Sequence, residues 1–462
     1  MNLLKPLDAA WLYVESRSTP MHVAGLHVLT PPKAGRRDFV RKLVAQWRAS
    51  TRFEAPWNLR LARTPFRALA PAWEVDPAID LDYHLRHSAL PQPGGERELG
   101  VLVSRLHSHP LDLTRPLWEL HIIEGLEGGR FALYSKMHHA LMDGVAAIRM
   151  IQRFLSVSPD DREAPAPWSV GVLHQRRAAS GGTPEERLAA LLDGLRGQAQ
   201  ALPAVARGVA RIWRRDPAAG GLTAPFEAPA SVLNRRITAQ RRLATQQYSL
   251  ARLRGLARRA GVTLNDVVLA ICAGALRRFL LELDALPAQS LSAGLPVSIR
   301  AQGDDSVGTS ISFILARLGT DLAGPVERLQ TIHAATRSGK QHLHALPETG
   351  LSAYTAAFMA PYVMALLAGV GGRGRPMFNL TISNVPGPRR ALYCAGARLE
   401  AMYPISLLTH GQALNITCVS YAGTLNFGFT GCRDTLPHMQ RLAVYTGEAL
   451  DELEQALAAP AG

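Results

Sequence analysis

The stretch Leu133–Ala147, LYSKMHHALMDGVAA, decides how this chain is read. Upstream, RFALYSKMHH alternates in the period-two manner of a strand, and the turn LEGGR just before it predicts a hairpin. Downstream, GVAAIRMIQRFL places Val145, Ile148, Ile151 and Leu155 on one helical face. His138 and His139 therefore stand where a strand ends and a helix begins, with Asp143 and Gly144 opening that helix. Two histidines at a strand end can simply be satisfied structural residues. The acid four positions after His139, with glycine next, suits another arrangement: the loop folds back, the carboxylate anchors it, and the imidazole faces a cavity. A neutral imidazole with a pKa near working pH deprotonates an alcohol or amine. A metal site would need further ligands, and His121 does not complete a set.

Working outward, the N-terminal block, residues 1–155, reads as mixed strand and helix. Residues 156–231 begin rich in Pro, Asp, Ser and Gly and read as a linker. They continue into a helical stretch, Pro184–Arg215, whose Arg207, Arg211, Arg214 and Arg215 alternate with Val205, Val209 and Ile212; such a helix packs on its own protein or lies on an anionic membrane. Residues 232–462 form a second mixed block. VTLNDVVLAICAGALRRFLLEL predicts a helix capped by Thr263 or Asn265. LSAGLPVSIR, TSISFILARL and FNLTISNVPGP read as strands, ALNITCVSYAGTLNFGFTG as a hairpin turning at Ala422-Gly423, and Arg441–Leu457 as an amphipathic helix. The expectation is an α/β chain of two mixed halves joined by a linker.

Composition narrows the function. The 462 residues suffice for two to three units of roughly 150 residues, and 47% hydrophobic content supports a large core. The formal charge of +14 invites polyanions, but lysine occurs only at Lys5, Lys33, Lys42, Lys136 and Lys340. The scattered arginines form no basic stripe interleaved with aromatics, and no zinc-finger spacing is present, so nucleic acid is not the expected partner. Cys272, Cys394, Cys418 and Cys432 lie in no close pair and no secretory leader is recognisable, which sets a reducing cytoplasm as the expected compartment. The most apolar run, Phe358–Gly372, is shorter than the roughly 20 residues of a membrane span and contains Pro361.

Several chemistries drop out. G-x-S-x-G, a Walker loop and H-E-x-x-H are all lacking. GVGGRG, Gly369–Gly374, fits G-x-G-x-x-G but leads into Arg-Pro instead of a helix, and reads as a flexible turn. HALMDG, by contrast, resembles the H-x-x-x-D-G signature of CoA- and carrier-dependent acyltransferases. The doubled histidine resembles peptide-synthetase condensation domains and the bacterial wax ester synthase/acyl-CoA:diacylglycerol acyltransferase family. PLDAAWLYVESRSTPMHVAGL, the Pro116-Leu117-Trp118 motif, Asn265-Asp266 and Asn384-Val385-Pro386 all resemble segments of the latter, in order along almost the whole chain.

This resemblance implies two chloramphenicol-acetyltransferase-like domains with mixed sheets flanked by helices and an active-site tunnel at their interface. It implies transfer of a fatty acyl group from acyl-CoA to a long-chain alcohol or to diacylglycerol, without a metal or prosthetic group. His139 is then the general base. His138 lines the tunnel, holds the loop or takes a direct catalytic part, and Asp143 is structural, paired with Arg300. Asn265 orients substrate or supports the base. Ser383 and Asn384 suit an oxyanion donor or tunnel wall, and Gly144 permits the turn. Trp118 packs or contacts substrate, and Arg373 and Arg375 meet CoA phosphates or solvent. Tyr354–Gly372 is a candidate tunnel wall. Insoluble products imply peripheral contact with the inner membrane or lipid bodies. Two alternatives stand beside this reading: a carrier-protein-dependent condensation enzyme, and a non-catalytic lipid-droplet binding protein.

Overall fold

The computed structural model describes residues 2–4, 6–33, 35–63, 71–171, 222–298 and 311–458. The chain divides into two α/β units that are not consecutive in sequence. The first comprises Met1–Val172, Arg236–Arg254 and Ser383–Val444; the second comprises Leu173–Arg235, Gly255–Ile382 and Tyr445–Gly462. The division thus departs from the expected blocks 1–155 and 232–462. The reason lies in strand pairing, because strands late in the chain complete the first unit's sheet.

That sheet has the order β12-β13-β2-β7-β6-β5, built from β2 (His22–Thr30), β5 (Leu85–Ala89), β6 (Trp118–Leu126), β7 (Arg130–His138), β12 (Tyr393–Cys394) and β13 (Ala397–Ile405). β6 and β7 form the expected hairpin through Glu127–Gly129. β2 runs antiparallel to both β7 and β13, with His22 opposite His138. A small sheet, β1 (Asn2–Leu3), β4 (Ala72–Val75) and β3 (Leu59–Leu61), flanks it in the sequence. The helices are α1 (Pro6–Val14), α2 (Phe39–Arg48), α3 (Leu81–His84), α4 (Glu96–Ser108) and α5 (Gly144–Phe154).

Both faces of the main sheet are buried, so its strands carry apolar residues at alternating and neighbouring positions alike. Along β7, Phe131, Leu133 and Met137 enter one core, which also holds Trp47, Trp57, Trp118 and Trp168. Ala132 and Tyr134 enter a second core with Leu26, Val103 and Ile405. Lys136 and His138 continue the Tyr134 face, following the two-residue period.

The start of the expected linker is part of this fold. Ser156 and Tyr393 exchange backbone hydrogen bonds of 2.8 and 2.7 Å. Trp168 is fully buried, and Trp47 Nε1 donates to Ala164 O at 3.0 Å. Pro, Asp and Ser there make turns that deliver one large aromatic into the core, rather than a solvated tether. The helical stretch Pro184–Arg215 lies outside the described residues.

The first unit also holds β8 (Arg241–Ser249) and the hairpin β14 (Leu414–Tyr421) with β15 (Thr424–Cys432). The hairpin turns at Ala422-Gly423, with positive φ at both residues, as the sequence predicts. On β15 a Cβ on Gly428 would come within 1.7 Å of Pro404 O, so only glycine permits that approach.

In the second unit, β9 (Ser292–Ser298) pairs antiparallel with β10 (Ile311–Arg317) and parallel with β11 (Leu380–Val385), whose last residues pass into the first unit. Its helices are α7 (Leu264–Glu282), α8 (Pro325–His344) and α9 (Glu348–Leu367); α6 (Leu250–Ala260) and α10 (Arg441–Ala458) straddle the division. Thr263 and Asp266 form a capping box at the start of α7. Pro361 lies inside α9.

Candidate active site

His139 follows the last residue of β7, and its backbone N–H donates to Met21 O at 2.9 Å. Leu141 and Met142 turn back onto His138 O. Asp143 then caps α5: its Oδ1 accepts from Ala146 N at 2.8 Å. A carboxylate is favoured there by the unsatisfied N–H groups and the helix dipole. The loop between the histidines and the acid is thereby closed at both ends.

The two histidines have different surroundings. His138 is fully buried, and both ring nitrogens are engaged. Ala140 N donates to Nδ1 at 3.1 Å, which leaves the proton on Nε2, and Nε2 donates to Glu15 Oε2 at 2.9 Å. His138 therefore holds the loop and has no free lone pair for a proton transfer.

His139 is half-buried. Burial pulls its imidazole down to about 4, against the opposing pull of the Asp143 charge and with a further push down from His138. It is neutral at physiological pH and ready to accept a proton. Its ring lies 4.3 Å from that of Trp11, tilted by 36°.

Glu15, just after α1, and Trp11, within it, contact the two histidines, and sequence reasoning missed both. They lie in PLDAAWLYVES, a segment significant only as a family resemblance until folded. We expect Glu15→Ala to lower kcat roughly ten- to hundredfold, because a displaced His138 carries its neighbour out of line. Glu15→Gln, which still offers an acceptor oxygen, should restore most of the rate. Equal kcat in wild type and Glu15→Ala would remove Glu15 from the site.

A charged layer supports β7. Lys136 Nζ meets Glu119 Oε2 at 2.9 Å and donates to Leu106 O and His109 O at the end of α4. Burial alone would raise the Glu119 carboxyl, but His121, Lys136 and Arg86 together hold it well below its ordinary range.

Among the described residues no group of three or more His, Cys, Asp or Glu is placed to hold a metal ion, and no helix is long and apolar enough to cross a membrane. All four cysteines are buried, and none is joined in a disulfide.

His139 thus stands half-buried against Trp11, with its neighbour His138 held by Glu15 and its loop closed by the Asp143 cap. Residues 4–268 match the model of the wax ester synthase/diacylglycerol acyltransferase catalytic domain, and 307–454 match the C-terminal domain of the same family. The chain belongs to the wax ester synthase/diacylglycerol acyltransferase family. It is 47% identical to a Mycobacterium tuberculosis protein whose name proposes a diacylglycerol O-acyltransferase, over 98% of this chain and 97% of that one. It is 38% identical to the O-acyltransferase WSD of Acinetobacter baylyi, over 99% and 98% of the two chains. The solved wax ester synthase/diacylglycerol acyltransferase from Marinobacter aquaeolei VT8 shares 39% identity and a TM-score of 0.80, over 99% of this chain and 100% of that one. A condensation domain of the calcium-dependent antibiotic synthetase, at 17% identity and a TM-score of 0.58, shares the fold.

The other family motifs fall as follows. Trp118 is fully buried; its Nε1 donates to Trp57 O at 2.7 Å and its ring stacks on His84, so it packs in the core. Gly144 is the first residue of α5, and its φ is not in the left-handed region. A Cβ there would meet nothing within 4 Å, so the turn does not require glycine, and the helix start is left open.

Asp266 of the Asn-Asp motif is buried, accepting from Thr263 N, His333 Nδ1 and Thr336 Oγ1 at 2.9, 2.9 and 2.6 Å. Burial would raise its carboxyl, and these bonds outweigh it and hold it low. It ties α7 to α8, a pairing between residues 67 apart that no local sequence signal announces. Asn265, next in sequence, is half-buried; Arg373 and Arg375, also in the second unit, are exposed. Ser383 and Asn384 are half-buried on β11, in the part belonging to the first unit with His139. Arg300, the expected partner of Asp143, lies outside the described residues.

Proposed function

We propose that this acyltransferase moves a fatty acyl group from acyl-CoA to the hydroxyl of a long-chain alcohol or diacylglycerol, with His139 as general base. The observation that carries this is the half-buried His139 imidazole, kept neutral, with its ring 4.3 Å from that of Trp11 and the Asp143 charge nearby. The acceptor O–H gives its proton to the imidazole as its oxygen attacks the thioester carbonyl. The tetrahedral intermediate collapses with cleavage of the C–S bond, and the imidazolium returns the proton to the departing CoA sulfur. Ester and free CoA result, with no acyl-enzyme. Base catalysis supplies roughly 10²–10⁴-fold, and positioning and oxyanion stabilisation the rest.

Both substrates are lipidic, and the segment expected to wall a tunnel supports contact with a lipid surface. Tyr354 and Phe358 of α9 are buried, whereas Met364, Leu367 and Val370 are exposed, followed by the exposed Arg373 and Arg375. Apolar side chains with adjacent arginines suit an anionic membrane interface.

Purified protein given palmitoyl-CoA should release CoA only when hexadecanol or diacylglycerol is added. Release with neither acceptor would overturn the assignment and favour a carrier-bound donor or a lipid-binding role.

A further inference from the structure

Away from the His139 imidazole, the first unit contains a cavity of about 620 Å³ between the end of α4, the start of β8, the turn after α1 and the end of β15. Its charged walls are Arg17, Arg105, Arg241, Arg242 and Arg433, and none of its lining residues is Asp or Glu. Five guanidiniums around one cavity repel each other unless something anionic enters. Only Arg433 has a carboxylate within salt-bridge distance among the described residues, its neighbour Asp434 at 3.2 Å.

Arg241 is the telling member. It is 2% exposed and holds no carboxylate among the described residues. Its Nη1 donates to Thr238 O and its Nη2 to Ser18 O at 2.9 Å. Two carbonyls fix the guanidinium in place but leave its charge uncompensated, an expensive state for a buried cation. Burial accordingly pulls it down to about 10. The carbonyls at the end of α4, which would give the cavity negative character, are already engaged by Lys136.

We propose that this cavity binds the phosphates of a nucleotide, namely the 3′-phosphate and pyrophosphate of the CoA donor. The inference rests on acyl-CoA being the donor. Planar guanidiniums present paired donors to phosphate oxygens, and cavities of roughly 300–1,000 Å³ suit ligands of this size. The location fits the chemistry. Arg17 lies two residues after Glu15, which holds His138, so at most roughly 7 Å of backbone separates the cavity wall from that anchor. A nucleotide held here leaves the flexible pantetheine arm to carry the thioester to His139.

Arg105 is exposed and Arg242 half-buried, so Arg105→Glu and Arg242→Glu test the cavity without disturbing the core. The full chain is titrated calorimetrically with adenosine 3′,5′-bisphosphate, and KM and kcat are compared for palmitoyl-CoA and palmitoyl-pantetheine. The wild type should bind the bisphosphate, and each variant should bind it at least roughly tenfold more weakly. KM for palmitoyl-CoA should rise with kcat little altered, and the preference for the CoA thioester over the pantetheine thioester should collapse. No bisphosphate binding by wild type, or binding that both variants keep, overturns the proposal. Variants that keep the nucleotide but lose phosphatidylglycerol vesicles overturn it in favour of a lipid phosphate. Arginine-dependent nucleotide binding by protein that releases no CoA with any acceptor would uphold the cavity and overturn the transfer reading alone.

Discussion

His139→Ala is expected to lower kcat/KM for acyl transfer by roughly 10²–10⁴-fold while the protein stays folded. The loop is held without that side chain: by the His139 backbone on Met21 O, by the Asp143 cap and by His138. His138→Ala should behave differently. It leaves Glu15 and Ala140 N without their partner, so melting temperature falls together with rate. Adjacent substitutions, one costing rate alone and the other stability as well, would separate the base from its anchor. The pH dependence follows from burial. Since the imidazole titrates at about 4 instead of 6.5, the neutral base predominates above that value, and the folded enzyme should lose rate only as pH falls towards it. Full activity in His139→Ala, or a folded enzyme with half-maximal rate near pH 6.5, would be incompatible with this site.

The local part of this site was legible in the sequence. Strand period, turn residues and helix period placed His138 at the end of β7 and Asp143 ahead of α5, because each depends on residues within one or two turns. What the histidines do was not legible to the same degree. The difference between them comes from Glu15, 123 residues from His138, and from Trp11 and Met21. No periodicity reports a contact over such a separation. Gly144 was misread for a related reason. An Asp-Gly pair signals a turn that needs glycine, yet the observed backbone is helical and the position is open. Composition also misled at residues 156–171, where polar and proline residues surround Trp168; the buried aromatic, not its neighbours, decides where the segment lies. The arginine cavity is a tertiary object. Arg17, Arg105, Arg241 and Arg433 are scattered in sequence, and their scatter hid a cluster.

Stability should decline as pH falls from about 6.5, well before the carboxylates titrate. The cause is a set of histidines kept neutral by burial. Burial lowers His27 to about 4 and His107 to about 3, pulls His22 well below its ordinary value, and also lowers His84 and His121. Above 6.5 these rings are neutral whether the chain is folded or not, and their contribution is fully present. Below it the unfolded chain takes up protons that the folded one refuses, so unfolding gains until pH reaches the folded values near 3–4. At pH 5 each fully buried ring costs about 2 kcal/mol, and two or three amount to a large share of a typical stability of roughly 5–15 kcal/mol. Glu119 acts with the opposite charge type in a lower window. Its pairing with Lys136 contributes above pH 4.5 and is lost only as pH drops towards about 2. The urea midpoint measured between pH 7.5 and 5 should therefore fall steadily, and His27→Leu, which removes one such ring from β2, should show a shallower fall. A midpoint that stays level down to pH 4.5 would mean that these histidines are protonated in the fold, with partners other than those seen around them.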